Sequence, residues 1–162
     1  MVSSVEVNSL KALEAELYKR VDKALENEVG KYVKDVMQAV IKHDVYDAYT
    51  PKMYHRRGEH DGLADKENIK AVAEDGVLTV TNTTMAYPYL DMEQNTLSQN
   101  AGQLLAPIIE SGNGYDYSKW AYYGYGIPRP FMQNTEIELS NSKWAIEAML
   151  AEGLIRQGIE VE

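Results

Sequence analysis

Between Ser9 and Lys42, apolar side chains fall at Leu10, Leu13, Leu17, Val21, Ala24, Leu25, Val29, Val33, Val36, Met37, Val40 and Ile41. The steps are almost all of three or four residues, which makes one stripe on a 3.6-residue helix rather than a strand's alternation. Lys11, Glu14, Lys19, Arg20, Asp22, Lys23, Glu26, Lys31 and Lys34 lie between them, so the opposite face is charged and wet. Asn8 or Ser9 can cap the first turn, because a short side-chain oxygen accepts from an otherwise unpaired amide. Ser3, with Glu6 three residues on, offers an earlier start. A helix over residues 9–43 rises about 1.5 Å per residue and is roughly 50 Å long. An apolar face of that length needs a sheet or a neighbouring subunit over most of it.

The pattern changes at Val45, Tyr46, Ala48 and Tyr49, and Pro51 makes Thr50 extended, so residues 44–68 are expected to form an extended loop punctuated by Gly58 and Gly62. Ile69, Ala71 and Ala73 then alternate with Lys70, Val72 and Glu74, Asp75-Gly76 supplies a turn, and Val77 to Thr81 is rich in β-branched residues. That is a hairpin over 69–82. Residues 83–131 are expected to hold loops and a short helix. A polar loop runs to about Gln103, Leu104 to Glu110 forms a helix starting near Pro107 or a turn on the core, and a Tyr/Gly/Pro loop fills 115–130. Thr135 and Glu138 have capping-box spacing. They open a last helix over 135–157 whose apolar face is Ile137, Trp144, Ala145, Ala148, Met149 and Leu150. Gly158 is its left-handed cap, with a stop at Gly153 as the other option. Ile159 and Val161 could add a short terminal strand. The fold class is α+β, a single domain over 1–162 in which the long N-terminal helix and the C-terminal helix pack on a small, mainly antiparallel sheet.

Composition narrows the chemistry. The 162 residues include no cysteine, so the core must hold without disulfides and cysteine-based metal or redox sites are closed. No apolar run approaches the roughly 18 residues of a membrane span, and the N-terminus lacks a signal-peptide block. The net charge is −9 and uneven: residues 1–42 carry seven acids and seven bases, whereas residues 69–162 carry twelve acids and five bases. An acidic body opposes a grip on nucleic acid built from phosphate contacts. Tyrosine outnumbers phenylalanine twelve to one, a bias found at interfaces.

The candidate chemistry is sparse. His43, His55 and His60, with Asp44, Asp47, Asp61 and Asp65 nearby, could serve a metal-dependent hydrolase. They form no spaced motif with a known mechanism, and His43 sits where a helix dipole favours a cation anyway. Tyr54, His55, Arg56 and Arg57 could meet a phosphate backbone, but docking on the acidic segment of an adjacent copy suits the charge balance better. The loop at 115–131, with Trp120, Tyr123 and Tyr125, is either a carbohydrate platform or a partner contact. Gly124-Tyr125-Gly126 follows no strand and opens no helix, no Gly-x-Ser-x-Gly elbow is present, and Asp91 and Glu93 sit in a polar loop. No catalytic, metal-binding or cofactor-binding residue is assigned, and no cofactor is expected.

The order of signals carries a resemblance. A long helix, a basic Pro-containing loop from Thr50-Pro51 to Arg56-Arg57-Gly58, a hairpin, Glu110-Ser111-Gly112, a glycine-rich loop and Arg129-Pro130-Phe131 before a last helix follow one another. This arrangement resembles the head–tail joining or tail-completion (neck) proteins of long-tailed bacteriophages, the HK97-type tail-component family. The Glu-x-Gly turn and the Arg-Pro-Phe segment match that family's motifs. The chain departs from the pattern in its tyrosine-rich 115–130 segment and in an insertion at 83–103. The resemblance implies a non-enzymatic virion part, assembled in the bacterial host cytoplasm, that packs as a ring (a hexamer or dodecamer) between the portal or adaptor and the tail tube; a tail terminator is the close alternative. DNA would pass through the channel without specific binding. Interface candidates are Tyr49, Tyr54, Arg56, Arg57, Glu110, Trp120, Tyr123, Tyr125, Arg129 and Phe131.

Overall fold

A computed structural model describes residues 9–48, 50, 57–58, 60–86, 90–91, 96–97, 102–112 and 127–161. Its spine is one continuous helix from Leu10 to Tyr46. Helix α1 (Leu10–Ala24) runs through a π turn at Leu25–Val29 into α2 (Gly30–Val40), and a second π stretch at Ile41–Tyr46 ends it. Ser9 caps the start: its backbone is extended, and its Oγ accepts from the Ala12 amide at 3.2 Å. The helix ends three residues beyond His43, the expected end, because Val45 is still a core residue and the Asp47 amide still bonds back to Lys42 O at 2.9 Å.

The π turns have a cause in the apolar pattern. From Val21 onward the inward positions are Leu25, Val29, Val33, Met37, Ile41 and Val45, a strict step of four. On a helix of 3.6 residues per turn, each such step overshoots the turn by about 40°. An α-helix would therefore carry the stripe most of the way around its circumference. A turn closed by an i→i+5 bond holds more residues and winds the stripe back. The dihedrals at Leu25, Gly30 and Ile41 stay right-handed helical throughout, so the spine is rephased without breaking.

Strands β1 (Ile69–Glu74) and β2 (Val77–Asn82) pair antiparallel from Ile69↔Asn82 to Glu74↔Val77. Asp75 and Gly76 have φ of 51° and 78°, positive at both central positions, as a type I′ hairpin turn requires. The inward residues Ile69, Leu78 and Val80 face the spine. Asp22 Oδ1 accepts from the Gly76 amide at 2.8 Å and Glu26 Oε1 from the Ala73 amide at 2.9 Å. Those two acids, expected on the solvent face, hold the hairpin. A Cβ on Gly30 would lie 3.1 Å from Ala71 Cβ, so the strand approaches the helix at a residue with no side chain.

Beyond the hairpin, the expected long loop contains a two-residue strand pair, β3 (Leu90–Asp91) with β4 (Thr96–Leu97), closed at its base by a bridge between Met85 and Leu104. Helix α3 (Leu105–Ser111) follows and is capped by Gly112 at φ 68°. The C-terminal helix is two: α4 (Phe131–Asn141) and α5 (Lys143–Arg156), broken at Ser142. It begins at Phe131, not Thr135. Thr135 lies inside α4, its hydroxyl donating to Phe131 O at 2.7 Å, so it cannot cap. Leu139 of α4 and Ile146 and Leu150 of α5 reach the spine, while Ile137 and Trp144, expected to be inward, are 51% and 74% exposed. Gly153 lies within α5, packed against the spine, where a Cβ would meet Glu28 Cγ at 3.0 Å and Ala24 Cβ at 3.1 Å. Gly158, at φ 78°, is the left-handed cap. The expected terminal strand is absent: the Ile159 amide is taken by Leu154 O at 3.0 Å. The fold is thus α+β, with hairpin and C-terminal helices both bearing on the long helix. One core cluster gathers Met37, Ile41, Leu63, Ile69, Ile109 and Phe131; another surrounds Leu25, Val29 and Val33.

Candidate functional site

The two short motifs of the resemblance meet in space. Glu110, near the end of α3, presents its carboxylate to the first turn of α4: Oε2 accepts from the Met132 amide at 2.9 Å and Oε1 from the Gln133 amide at 3.2 Å. A negative group there satisfies two free amides and the helix dipole together. Pro130, at the cap position, contributes no side-chain bond of its own. The Arg129 amide donates to Ile109 O at 3.0 Å. Phe131 is fully buried in the first core cluster. Glu110, Arg129 and Phe131 therefore clamp α3 to α4, and Phe131 serves the core rather than the surface. A cap donated across 22 residues leaves no local spacing, so sequence alone pairs the motifs only through their order.

A second cluster fastens the turn after the spine. The Tyr46 hydroxyl donates to Gly58 O and accepts from the Ala64 amide, both at 3.0 Å. Asn82 Nδ2 donates to Leu63 O at 2.7 Å and the Thr84 hydroxyl to Gly62 O at 3.1 Å. Asp65 accepts from the amides of Asp61 and Glu67 at 2.6 and 2.9 Å, and these bonds hold its carboxyl below the ordinary carboxylate range. Arg57 donates to Met85 O at 2.7 Å and lies 3.7 Å from Asp61, so it braces the loop to the strand exit. Tyr49, Tyr54, His55, Arg56, Trp120, Tyr123 and Tyr125 lie outside the described residues.

The third feature is a cleft of about 540 Å³ between α2 and α4, walled by Tyr32, Val36, Val40 and Ile137 with Asp44 and Glu138 among its polar groups. Asp44 accepts from Asn134 Nδ2 at 2.7 Å and pairs with His43 Nδ1 at 2.7 Å. The bond from Asp44, and then its charge, raise the His43 pKa above its ordinary value near 6.5. His60 stands apart in the Gly58 turn, and among the described residues no group of three His, Asp or Glu side chains could hold a metal.

The surface also carries apolar groups that the sequence placed in the core. Leu10, Leu13 and Leu17 are 83%, 52% and 47% exposed. They begin the stripe that is buried further along, and periodicity alone does not say where the cover stops.

A search of solved structures returns no match. The SPbeta prophage-derived uncharacterized protein YomN of Bacillus subtilis (strain 168) is 28% identical over 149 residues, 88% of this chain and 92% of that protein. The family model described as YomN matches residues 9–156, which runs from the Ser9 cap to the end of α5. The chain belongs to the YomN family.

Proposed function

We propose that this chain is a structural virion subunit, a neck or tail-completion protein whose copies form a ring joining the head to the tail tube. Membership of a family with a prophage-derived member makes it phage-related, and the ring role is the finer step. The observation that carries it is the clamp: the two motifs of the neck-protein resemblance, Glu110-Ser111-Gly112 and Arg129-Pro130-Phe131, come together at the α3–α4 junction, where Glu110 caps the Met132 and Gln133 amides just after Phe131 and the Arg129 amide bonds Ile109 O just before Glu110. Apolar surface supports the same reading. Leu10, Leu13, Leu17, Trp144 and Ile137 stand in solvent on one chain, and surfaces of that kind mark contacts with other proteins. The role needs no reaction chemistry and no cofactor. The acidic body would repel phosphates and let DNA slide past.

The test is to remove the gene from the phage that encodes it and examine the lysate by electron microscopy. Full heads and separate tails, restored to joined particles by the protein supplied in trans, are expected. Normal infectious particles without the protein would end the proposal.

A further inference from the structure

The hairpin has two outer edges, and the chain treats them differently. The bonding phase follows from the Thr83 amide, which donates to Asn68 O at 2.8 Å. With the register running from Ile69↔Asn82 to Glu74↔Val77, bonds are exchanged inside the hairpin by Lys70 with Thr81, Val72 with Thr79 and Glu74 with Val77. The backbone groups of Ala71 and Ala73 on β1, and of Leu78 and Val80 on β2, therefore point away from the partner strand. On β1 the Ala73 amide is taken by Glu26 Oε1 at 2.9 Å, and Ala71 packs on the spine at Gly30. On β2, among the described residues, no hydrogen bond reaches the backbone of Leu78 or Val80. This strand also lacks the devices that keep an open edge single: Val77–Asn82 holds no charge and no proline, whereas β1 carries Lys70 and Glu74. Val77, Thr79, Val80 and Thr81 are β-branched, and all but Val80 are exposed. An edge of this kind is a template for one more strand.

The strand that matches it is β2 of a second copy. A chain of net charge −9 repels its own copies over most of its surface, and an uncharged strand is where that repulsion is least. Laid antiparallel about a two-fold axis through Thr79, Leu78 of one copy faces Val80 of the other, and each such pair exchanges both of its bonds. Every outward backbone group at the two residues then has a partner. Leu78 and Val80 keep to the inner face, and Thr79 meets Thr79 on the outer one. Asn82 is buried and tied to Leu63 O, so an axis further along the strand is obstructed. We propose that two copies pair through β2 in this register and form a four-stranded antiparallel sheet. The contact is isologous, unlike the head-to-tail contact of a ring, and it does not rest on the neck reading.

The chain has no cysteine, so cross-linking of the full chain reads the pairing. Thr79→Cys puts two thiols across the axis at a non-hydrogen-bonded pair, where Cα atoms stand about 4.5 Å apart and a disulfide can close. A covalent dimer is expected on mild oxidation. Val72→Cys, exposed on the same face but on β1, would lie about 14 Å from its copy and should stay monomeric. In sedimentation, Thr79→Lys and Thr79→Glu should each dissociate at roughly fivefold higher concentration than wild type, and an equal mixture should recover the wild-type value. Val80→Pro removes an outward amide and no bond inside the hairpin, so it should abolish the dimer, with circular dichroism checking the fold. Thr79 is exposed, and its variants decide the matter even where Val80→Pro unfolds. Equal cross-linking of both cysteine variants, a wild-type chain that stays monomeric at every concentration, or a dimer indifferent to charge at Thr79 would overturn the proposal. Normal joining of heads to tails without the protein would remove the neck role and leave the strand pairing standing.

Discussion

The two ends of the spine carry the same kind of stripe and meet opposite fates. Around α2 and the second π stretch, Val33, Met37, Ile41 and Val45 are almost wholly buried beneath the hairpin, α3 and α4. Along the first turns of α1, Leu10, Leu13 and Leu17 occupy equivalent steps and stand largely in water. The side chains are of one class and the spacing differs only slightly, so neither explains the contrast. What differs is the rest of the chain: the hairpin turn reaches Tyr18, near Gly76, and Arg20 bonds Gln157 O at the end of α5, and the described body extends little further. An amphipathic pattern identifies a face and leaves open who covers it.

Truncation separates the two ends most sharply. Ile41→Ala or Phe131→Ala removes a fully buried side chain and should cost about 3–5 kcal/mol from lost burial and the cavity left behind. Leu13→Ala should change the stability of the isolated subunit by about 0.5 kcal/mol or less. Urea unfolding followed by circular dichroism checks both, and a Leu13→Ala loss as large as that of Ile41→Ala would mean that α1 is covered within one copy.

The turn at the closed end offers a further contrast. A Cβ on Gly62 would lie 2.2 Å from Gly58 O, a backbone atom with no freedom to rotate aside. Gly62→Ala should therefore destabilise by about 1–3 kcal/mol as the turn shifts, and it should loosen the Tyr46 and Thr84 bonds that anchor there. Proteolytic nicking near Gly58 in that variant, and not in Leu13→Ala, would place the weakness in the turn.

Replacing Glu110 should have a smaller effect. Glu110→Ala frees the Met132 and Gln133 amides and should cost about 1 kcal/mol, within the usual range for a lost helix cap. Glu110→Gln keeps one acceptor and should cost less. Thermal unfolding of the pair checks the order, and equal midpoints for wild type and Glu110→Ala would show that the α3–α4 clamp rests on packing alone.

Much of this architecture is legible in the sequence because its cause is local. Asp75-Gly76 prescribes the turn that both positive φ angles confirm, and the Ile69 alternation matches the inward face of β1. The Ser9 cap and the Gly158 stop likewise need only their neighbours. The misses lie where the cause is distant. Thr135 looks like a cap, but the carboxylate that caps α4 comes from Glu110. Trp144 looks like core and stands in solvent just past the break at Ser142. The strict four-residue step from Val21 to Val45 does signal π turns, since an ordinary helix cannot keep it on one side. The candidate cleft was only half legible: His43 and Asp44 stand out as titratable neighbours, whereas Ile137 and Asn134 join them only once α4 lies along α2.

The slightest effect expected belongs to His43, at the rim of that cleft. Its partner Asp44 donates no proton but accepts one bond from the imidazole and another from Asn134, and both the bond and the charge favour the protonated ring. The folded-state pKa therefore lies above the unfolded value near 6.5. A raised pKa means that the folded state holds the proton more tightly. The pairing stabilises fully below the unfolded value and is lost as pH climbs through the folded one. The imidazole is solvated and its contribution small, so the shift is best read directly by NMR titration of the ring. Asp44→Asn should bring the midpoint back toward 6.5, and Asn134→Ala should leave it raised, since the carboxylate remains.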